Sequence, residues 1–467
     1  MTIKFLSTQI VIFFLAMCAM GQDGPQNFPD SPAGKKAAAF WNVVNSTGRD
    51  AIKSFIEDQM VPREGVTVEQ RSGAFEQMQR ILGGAQILKV TPLSESEISF
   101  VIKRTSGELE KIQIRLAQNS LVDMISLQEA SEDDLSEEAS KRISKSELIS
   151  AIEEYLKSLD AKDEFSGTVL LAEKGKPIFL KAFGLANIEK KIPNNSDTKY
   201  NLGSINKLFT ILSIGLLADE GRISFDDKIG EILPNYPNKD AREKVTIRHL
   251  LTMSSGIGDI FGDEYEATPK SNLRTTDSYL PLFASKPLAF EPGTDRQYSN
   301  GGFLVLGAII EKVSGQTYYD FVRERIYKPI GMSDTEAYES GATINNLAEG
   351  YMYSEEKKAR INNVSTRPAR GSSGGGGYST APDMLKFANA IESGSFPMPN
   401  SLKQMKDPLI GDLARGVIRF GGGAPGINAS IENRVADKYT IIVLANYSPP
   451  TASKVSRKIR GLLKRVE

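Results

Sequence analysis

Histidine and cysteine are each represented by a single residue, His249 and Cys18, in this chain of 467 residues. A Ser-His-Asp triad must therefore use His249 or be absent, and a Cys-His protease would need both residues in one site. Zinc sites built from several histidine and cysteine ligands are excluded, and so is a disulfide bond within the chain. We expect neither a metal ion nor an organic cofactor.

An excess of charge of either sign is also missing, because 57 basic residues face 58 acidic ones and leave a formal net charge of −1. Proteins that bind nucleic acid usually carry a basic excess, so the composition argues against nucleic acid as a partner. Beyond the N-terminus, no segment reaches the roughly 18 apolar residues that a membrane span requires. The length fits about two to three domains of an ordinary globular protein.

The N-terminus has the pattern of an export signal. Lys4 supplies a positive charge, residues 5–20 are mostly apolar, and Ala19 and Gly21 put small residues where signal peptidase reads the chain. We therefore predict a signal peptide over residues 1–21 and an exported protein, periplasmic or extracellular. An uncleaved membrane anchor is one alternative. A lipoprotein attached at Cys18 is a weaker one, because a bulky methionine precedes the cysteine.

The residues after the signal divide by their hydrophobic period. Apolar residues recur at helical spacing through 35–82, whereas residues 86–128 alternate with a period of two, as Ile98, Phe100 and Ile102 illustrate. This order predicts helices followed by an antiparallel meander, and it contains no catalytic constellation. We predict a linker at 22–34, a small α+β accessory or docking domain at 35–128, an acidic linker at 129–146 and a continuous domain at 147–467.

A serine three residues before a lysine places a hydroxyl and an amine one helical turn apart, and a neutral lysine there can accept the serine proton without any histidine. The chain contains this spacing three times, at Ser196/Lys199, Ser204/Lys207 and Ser354/Lys357. The second copy begins a segment that is apolar on nearly all sides, which predicts a buried helix. Burial would lower the pKa of Lys207, as a general base requires. Alternatively, Ser204 caps the helix and Lys207 extends to solvent.

Two further segments carry candidate chemistry. Tyr298-Ser299-Asn300 lies in a turn-rich loop, where a tyrosine can move protons and an asparagine can bind a substrate amide or the lysine. The Tyr-x-Asn spacing is weak by itself, because it recurs at residues 236–238. Residues 420–426 read Phe-Gly-Gly-Gly-Ala-Pro-Gly between predicted strands. A strand N–H there could pair with the Ser204 N–H as an oxyanion hole, and a bulged hairpin is the alternative.

These segments occur in the order found in one enzyme family. The order runs through Phe165–Leu171, Phe183–Asn187, Asn201–Lys207, Val245–Thr252, Tyr298–Asn300 and Gly377–Asp383. Over roughly residues 147–467 the chain resembles the serine beta-lactamase superfamily, which includes class C beta-lactamases, D-Ala-D-Ala peptidases and family VIII esterases. The resemblance implies an α+β fold, with a beta-lactamase/transpeptidase-like antiparallel sheet flanked by helices and a helical subdomain. The small α+β N-terminal domain would precede it.

The resemblance also implies an acyl-enzyme mechanism. Ser204 would attack a carbonyl, and water would later release the acyl group. Lys207 and Tyr298 would share the base and acid roles, with either residue as the base. Asn300 would orient the substrate or Lys207.

The third motif of the family contains a departure. The N–H groups of Ser204 and Gly423 would hold the oxyanion, with Gly422 and Phe420 on the same substrate-binding strand. The family usually has lysine or histidine where this chain has Phe420, which cannot donate a hydrogen bond to the carboxylate of beta-lactams or D-Ala-D-Ala peptides. Activity on those substrates is therefore in doubt, although some esterases of this group have an aromatic residue there. The adjacent Arg419 should point to the opposite face of the strand.

Two remaining features are expected to serve the fold. His249 lies in a short amphipathic helix within the landmark at 245–252, and we expect it to be structural. The C-terminal residues 454–466 predict a basic amphipathic helix, which could lie on a membrane surface. In the family this helix packs instead against the sheet, which Tyr439–Ala445 forms in part.

Two functions follow from these observations. The first is an exported serine hydrolase, esterase- or peptidase-like, that acts on a small-molecule ester, amide or peptide through an acyl-enzyme on Ser204. The second is a beta-lactamase-fold binding or sensor module with weak or no turnover, because Phe420 replaces the usual donor. Sustained turnover separates the two. The partner of the N-terminal domain is left open.

Overall fold

The computed structural model describes residues 28–46, 48–63, 67–130, 132–135, 142–434 and 438–466. The predicted signal peptide, with Cys18, and the first part of the predicted linker lie outside these residues. Within the described part of the chain, no helix has both the length and the apolar content needed to cross a bilayer. The chain forms two compact units that meet in sequence between Arg142 and Ile143, inside the predicted acidic linker.

The N-terminal unit has helices followed by strands, as the change of hydrophobic period predicts. Its helices are α1 (Pro32–Val44), α2 (Arg49–Gln59) and α3 (Val68–Leu82). They precede strands β1 (Gln86–Ser94), β2 (Glu97–Lys103), β3 (Leu109–Leu116) and β4 (Val122–Glu129). The four strands pair antiparallel in sequence order, so the predicted meander is confirmed.

This unit has a hydrophobic core of its own. Ile98, Phe100 and Ile102 alternate along β2 and are fully buried in one cluster with Phe40 of α1 and Ile52 of α2. Fully burying an apolar side chain of this size stabilises the fold by about 1.5–3 kcal/mol relative to leaving it exposed. The alternation that predicts strands therefore also determines which face of the sheet the helices cover.

Both predicted linkers extend too far into structured segments. α1 already begins at Pro32, inside the first predicted linker, because Ser31 caps its first turn and proline suits the start of a helix. β4 extends to Glu129, and α4 (Lys145–Ala161) begins inside the acidic linker with Ser144 as its capping residue. Average composition identified these linkers, whereas a single capping residue decides where each helix starts.

The second unit is built on a five-stranded antiparallel sheet. The strands of the whole unit are β5 (Gly167–Glu173), β6 (Lys176–Phe183), β7 (Leu185–Asn187), β8 (Ile192–Pro193), β9 (Tyr200–Asn201), β10 (Tyr351–Ser354), β11 (Ala359–Asn362), β12 (Tyr378–Ser379), β13 (Arg419–Ala424), β14 (Ile427–Arg434) and β15 (Tyr439–Ala445). The large sheet has the order β13-β14-β15-β5-β6. Because β15 pairs with β5, the early and late parts of this unit share one sheet. This arrangement leaves β13 at a sheet edge.

Some of the helices in this unit cover the two faces of the large sheet. The helices are α4 and then α5 (Lys207–Asp219), α6 (Ile229–Ile232), α7 (Lys239–Lys244), α8 (Ile247–Leu251), α9 (Asp263–Ala267), α10 (Thr276–Tyr279), α11 (Asn300–Ser314), α12 (Tyr318–Val322), α13 (Lys328–Ile330), α14 (Ala381–Ser393), α15 (Asn400–Lys403), α16 (Pro408–Ala414) and α17 (Thr451–Leu463). Val169 of β5 packs in a cluster with α4 and α17, whereas its neighbour Leu170 packs in a cluster with α5, α11 and α14. The expected α+β fold is confirmed, including the packing of the C-terminal helix on the sheet.

Helices α6 to α13 lie in sequence between β9 and β10 and supply much of the larger cluster. They form the helical subdomain that the resemblance implied. α5 is apolar on all sides, as its sequence predicts, and nearly every residue from Lys207 to Leu217 is buried. Gly221 follows it with φ +68°, a conformation that ends helices. A buried α5 gives the residues at its start a rigid support.

Candidate active site

Ser204 lies at the start of this buried helix. Residues 203–206 form a 3-10 turn, named here the Ser204 turn, that continues directly into α5. Gly203 has φ +52°, a left-handed conformation that favours glycine, and its N–H donates to Asn201 Oδ1 (2.9 Å). The sharp bend leaves Ser204 half-buried, while both residues beside it are buried. Its hydroxyl does not cap the helix but contacts two other side chains.

The first of these contacts is Lys207, which is fully buried, so the alternative in which it extends to solvent is wrong. Its Nζ donates to Ser204 Oγ (3.2 Å), Asn300 Oδ1 (2.6 Å) and the carbonyl oxygen of Gly374. Three acceptors match the three hydrogens of an ammonium group. Burial lowers the pKa of Lys207 to about 7, although the negative charge of Asp259 opposes this shift. Near neutral pH, the group can therefore gain or lose a proton.

The second contact of Ser204 is Tyr298, whose Oη lies 2.5 Å from Ser204 Oγ. Its ring centroid is 4.8 Å from Lys207 Nζ. Burial raises the pKa of Tyr298, and the hydrogen bond to Ser204 opposes part of that increase. A neutral phenol in this position can accept one hydrogen bond and donate another. The serine hydroxyl thus has a proton-transfer group on two sides.

Asn300 reaches the lysine because its neighbour fixes the start of α11. Ser299 Oγ caps the helix by accepting from Gly302 N (2.8 Å), and it donates to the carbonyl oxygen of Gly258 (3.0 Å). This second bond joins the start of α11 to the loop after α8. In that loop Asp259 accepts hydrogen bonds from Asn300 Nδ2 with both carboxylate oxygens, at 3.0 and 2.9 Å.

Strand β13 passes directly beside the Ser204 turn because glycines leave room for it. A Cβ on Gly422 would lie 1.9 Å from the carbonyl oxygen of Leu202 and 2.9 Å from the Ser204 nitrogen. A Cβ on Gly203 would lie 2.9 Å from the Gly423 nitrogen. β13 pairs with β14 without a register shift, so the bulged-hairpin alternative is wrong. The glycines instead place the backbones of Ser204 and Gly423 side by side.

Phe420 is the second residue of β13 and precedes the glycines that approach the Ser204 turn. It is half-buried and packs against the cluster that contains α5. Because strand residues alternate, it shares a face with Gly422, whereas Arg419 alternates to the other face and is exposed. The position expected to carry a cationic or hydrogen-bonding group therefore presents an apolar ring.

The glycine run at 374–377 forms a loop that packs against the Ser204 turn. Leu202 N donates to the carbonyl oxygen of Gly377 (2.7 Å), and Gly376 N donates to that of Gly203 (3.2 Å). Gly376 has φ +96°, which side chains disfavour. This loop also supplies the Gly374 carbonyl to Lys207, a contact that the sequence analysis missed.

Asp259 is the second group that the sequence analysis missed. It belongs to the loop between α8 and α9. Its only local signal is an acidic residue placed directly after the short glycine-rich stretch 256–258. No spacing within the chain connects it to Asn300, which lies 41 residues further on.

Comparison with known proteins assigns the family. The family model described as Beta-lactamase matches residues 152–464, more than half of the chain. The chain belongs to the Beta-lactamase family. Penicillin-binding protein 4* of Bacillus subtilis strain 168 is 28% identical to this family member over 329 residues, which cover 64% of this chain and 72% of that protein.

Solved structures agree with this assignment. The penicillin binding protein from Bacillus halodurans superposes with a TM-score of 0.60 at 29% identity, covering 66% of this chain and 99% of that one. D-amino acid amidase from Ochrobactrum anthropi SV3 gives a TM-score of 0.57 at 22% identity, over 68% of this chain and 98% of that one. The second likeness shows the fold alone.

The two other Ser-x-x-Lys copies of this Beta-lactamase family member serve ordinary contacts. Ser196 Oγ donates to the neighbouring carboxylate of residue 197, and Lys199 forms an ion pair with Asp334 (2.9 Å). Ser354 Oγ accepts from the backbone N–H of Lys357 (3.2 Å) in an exposed turn. Neither pair joins hydroxyl and amine as Ser204 and Lys207 do.

His249 closes the first turn of α8. Its Nδ1 accepts from Thr246 N (3.3 Å), and its own backbone N–H donates to Thr246 Oγ1 (3.3 Å). Burial lowers the pKa of His249. These contacts agree with the structural role expected for it.

The close approach of β13 makes a stability prediction. Gly422→Ala puts a methyl group against the Leu202 carbonyl, so we expect the free energy of unfolding to fall by about 1–3 kcal/mol. Gly421→Ala is the matched control, because a Cβ there has its nearest neighbour 3.6 Å away. Urea unfolding measures both variants. Equal stabilities would contradict the steric argument.

Proposed function

We propose that this Beta-lactamase family member is an exported serine hydrolase, esterase- or peptidase-like toward small acyl substrates. The observation that carries the proposal is the pair of contacts on Ser204 Oγ, with Lys207 Nζ at 3.2 Å and Tyr298 Oη at 2.5 Å. A serine becomes a nucleophile when a neighbouring base takes its proton. With a pKa of about 7, Lys207 is partly neutral at physiological pH and can accept that proton.

In the proposed acylation step, Ser204 Oγ bonds to the substrate carbonyl carbon while its proton passes to Lys207 or Tyr298. Both lie within hydrogen-bond reach of Ser204 Oγ. Lys207 fits the role of base directly because burial lowers its pKa, whereas Tyr298, whose pKa burial raises, would fit it only in its ionised form. The carbonyl oxygen becomes an oxyanion, for which the N–H groups of Ser204 and Gly423 are the candidate donors. The proton then moves to the leaving group as its bond to the carbonyl carbon breaks. Water hydrolyses the resulting ester and restores the serine.

Aromatic side chains on the segments that carry the site support a neutral substrate. Tyr298 is 48% exposed and Phe261 is 56% exposed. Phe261 lies two residues after Asp259 and packs edge-on against Tyr265, with ring centroids 5.0 Å apart. Phe420 adds a third aromatic ring, an apolar one, where a carboxylate-binding side chain would be expected. Such groups contact an apolar acyl or alcohol moiety favourably and offer no charged hydrogen bond.

Covalent labelling tests the nucleophile. Ser204→Ala removes the hydroxyl, so we expect a fluorophosphonate probe to add once to the wild-type chain and not to the variant. Intact-mass spectrometry measures the adduct. Ser196→Ala, from another Ser-x-x-Lys copy, should label like the wild type. An adduct that persists in Ser204→Ala would contradict the assignment of Ser204 as the nucleophile.

A substitution at Phe420 tests the substrate preference. Phe420→His adds a hydrogen-bond donor, and a hydrogen bond to a charged group contributes about 1.5–3 kcal/mol. We therefore expect kcat/KM for a carboxylate-bearing ester, relative to its neutral analogue, to rise about tenfold or more. Phe420→Leu stays apolar and should leave this ratio unchanged. If both variants change the ratio equally, packing rather than the missing donor determines the preference.

Phe420 also favours a second candidate function, a binding or sensor module that acylates slowly or not at all. This module would form at most one adduct per chain and release no further product. A panel of esters, D-amino-acid peptides and beta-lactams separates the two functions. Sustained multiple turnover on any of them excludes the sensor.

Export rests on the residue pattern at 1–21, which lies outside the described part of the chain. We expect the protein recovered from the periplasm or medium of a bacterial host to begin at Gln22, because cleavage is predicted after Gly21. N-terminal sequencing measures this directly. An exported fraction that still begins at Met1 would contradict cleavage and favour the anchor. The accessory or docking role of residues 35–128 stays a prediction.

A further inference from the structure

We propose that Asp259 is a positioning residue for this site: its carboxylate holds Asn300 in the one amide orientation that presents an oxygen to Lys207, and its charge acts on Lys207 across that amide. The inference rests on the proposed function, because it concerns the same lysine. It adds a residue that no sequence motif identified.

The hydrogen bonds of Asn300 determine its orientation. An ionised carboxylate only accepts hydrogen bonds, so the Asn300 nitrogen must face Asp259, and its oxygen is then left to accept from Lys207 Nζ at 2.6 Å. The reversed amide would place oxygen against carboxylate and N–H against the lysine. The first contact would be repulsive, and the second would be repulsive whenever Lys207 is protonated. Asp259 therefore selects the orientation that the lysine requires.

Asp259 is itself held by its own loop. Its Oδ1 accepts from the backbone N–H groups of Ile260 (2.6 Å) and Phe261 (3.4 Å). The preceding residue, Gly258, accepts from Ser299 Oγ at the start of α11. The carboxylate is thus ordered by backbone contacts before any substrate is present.

The charge of Asp259 is not neutralised by a neighbour. Among the described residues, no lysine or arginine lies within ion-pair distance of its carboxylate, and Asn300 separates it from Lys207. Besides Asp259, the titratable side chain that faces the Lys207 amine is Tyr298. The other neighbours of the amine are neutral: Ser204 Oγ, Asn300 Oδ1, the Gly374 carbonyl and the ring of Phe303. Burial lowers the pKa of Lys207, and Asp259 raises it. Removing the Asp259 charge should therefore lower the pKa of Lys207 further.

The experiment follows the rate of fluorophosphonate acylation against pH. Asp259→Asn keeps the size of the side chain and removes its charge, so we expect the inflection assigned to Lys207 to move about half to one pH unit lower. The shift has this direction whether Lys207 acts as the base or as a cation beside Tyr298. We also expect the maximal rate to fall about tenfold, because Asn300 loses its fixed orientation.

Three further variants separate the effect of charge from that of shape. Asp259→Glu retains the charge and should return the inflection toward the wild-type value. Asp263→Asn makes the same change in charge at an exposed position at the start of α9 and should leave the profile unchanged. Asp259→Ser removes the charge while keeping an acceptor, and it replaces Asp259→Asn if that variant does not fold.

The outcomes are distinct. A lower rate with an unmoved inflection in the charge-removing variants would mean that Asp259 only supports its loop, and this would overturn the proposal. A wild-type chain that is not labelled at Ser204 would overturn the proposed function instead. A shifted inflection in Asp259→Asn that is absent from Asp259→Glu and Asp263→Asn supports the inference.

Discussion

The burial of the Lys207 amine is the interaction on which the rest of the site depends. Removing an ammonium group from water costs several kcal/mol, and the cost is offset only when its hydrogens find acceptors. Here the acceptors come from three separate segments: the Ser204 turn, the first turn of α11 and the glycine loop at 374–377. Each segment must therefore keep its place for the lysine to stay buried. The same burial brings the pKa of Lys207 to about 7, where a lysine can exchange protons.

Close backbone contacts and a side-chain cap hold these segments together. The missing Cβ atoms of Gly203 and Gly422 let the Ser204 turn and β13 approach each other, and the 374–377 loop bonds to the turn through its carbonyl and N–H groups. The cap formed by Ser299 joins α11 to the loop of Asp259. Because backbone has little rotational freedom once paired, this arrangement keeps the side chains of the site in place without a substrate.

The distribution of charge connects the site to its proposed substrates. A negative carboxylate lies behind Asn300, and the strand beside the serine offers an apolar ring at Phe420. A substrate carboxylate would find no hydrogen-bond donor in the Phe420 side chain. The neutral carbonyl of an ester or amide needs only the nucleophile and backbone N–H donors. The proposed preference for neutral acyl groups thus rests on the missing hydrogen-bond donor at Phe420.

The sequence by itself determined features that depend on spacing within one element. Alternation predicted the meander of the N-terminal unit, the apolar run after Ser204 predicted a buried α5, and the order of motifs selected Tyr298 and Asn300. Tertiary structure alone decided the contacts across elements. The Gly374 carbonyl is 167 residues from Lys207, and Asp259 is 41 residues from Asn300. No local pattern encodes such pairs, because each segment is compatible with many partners until the sheet and helices bring it to one place.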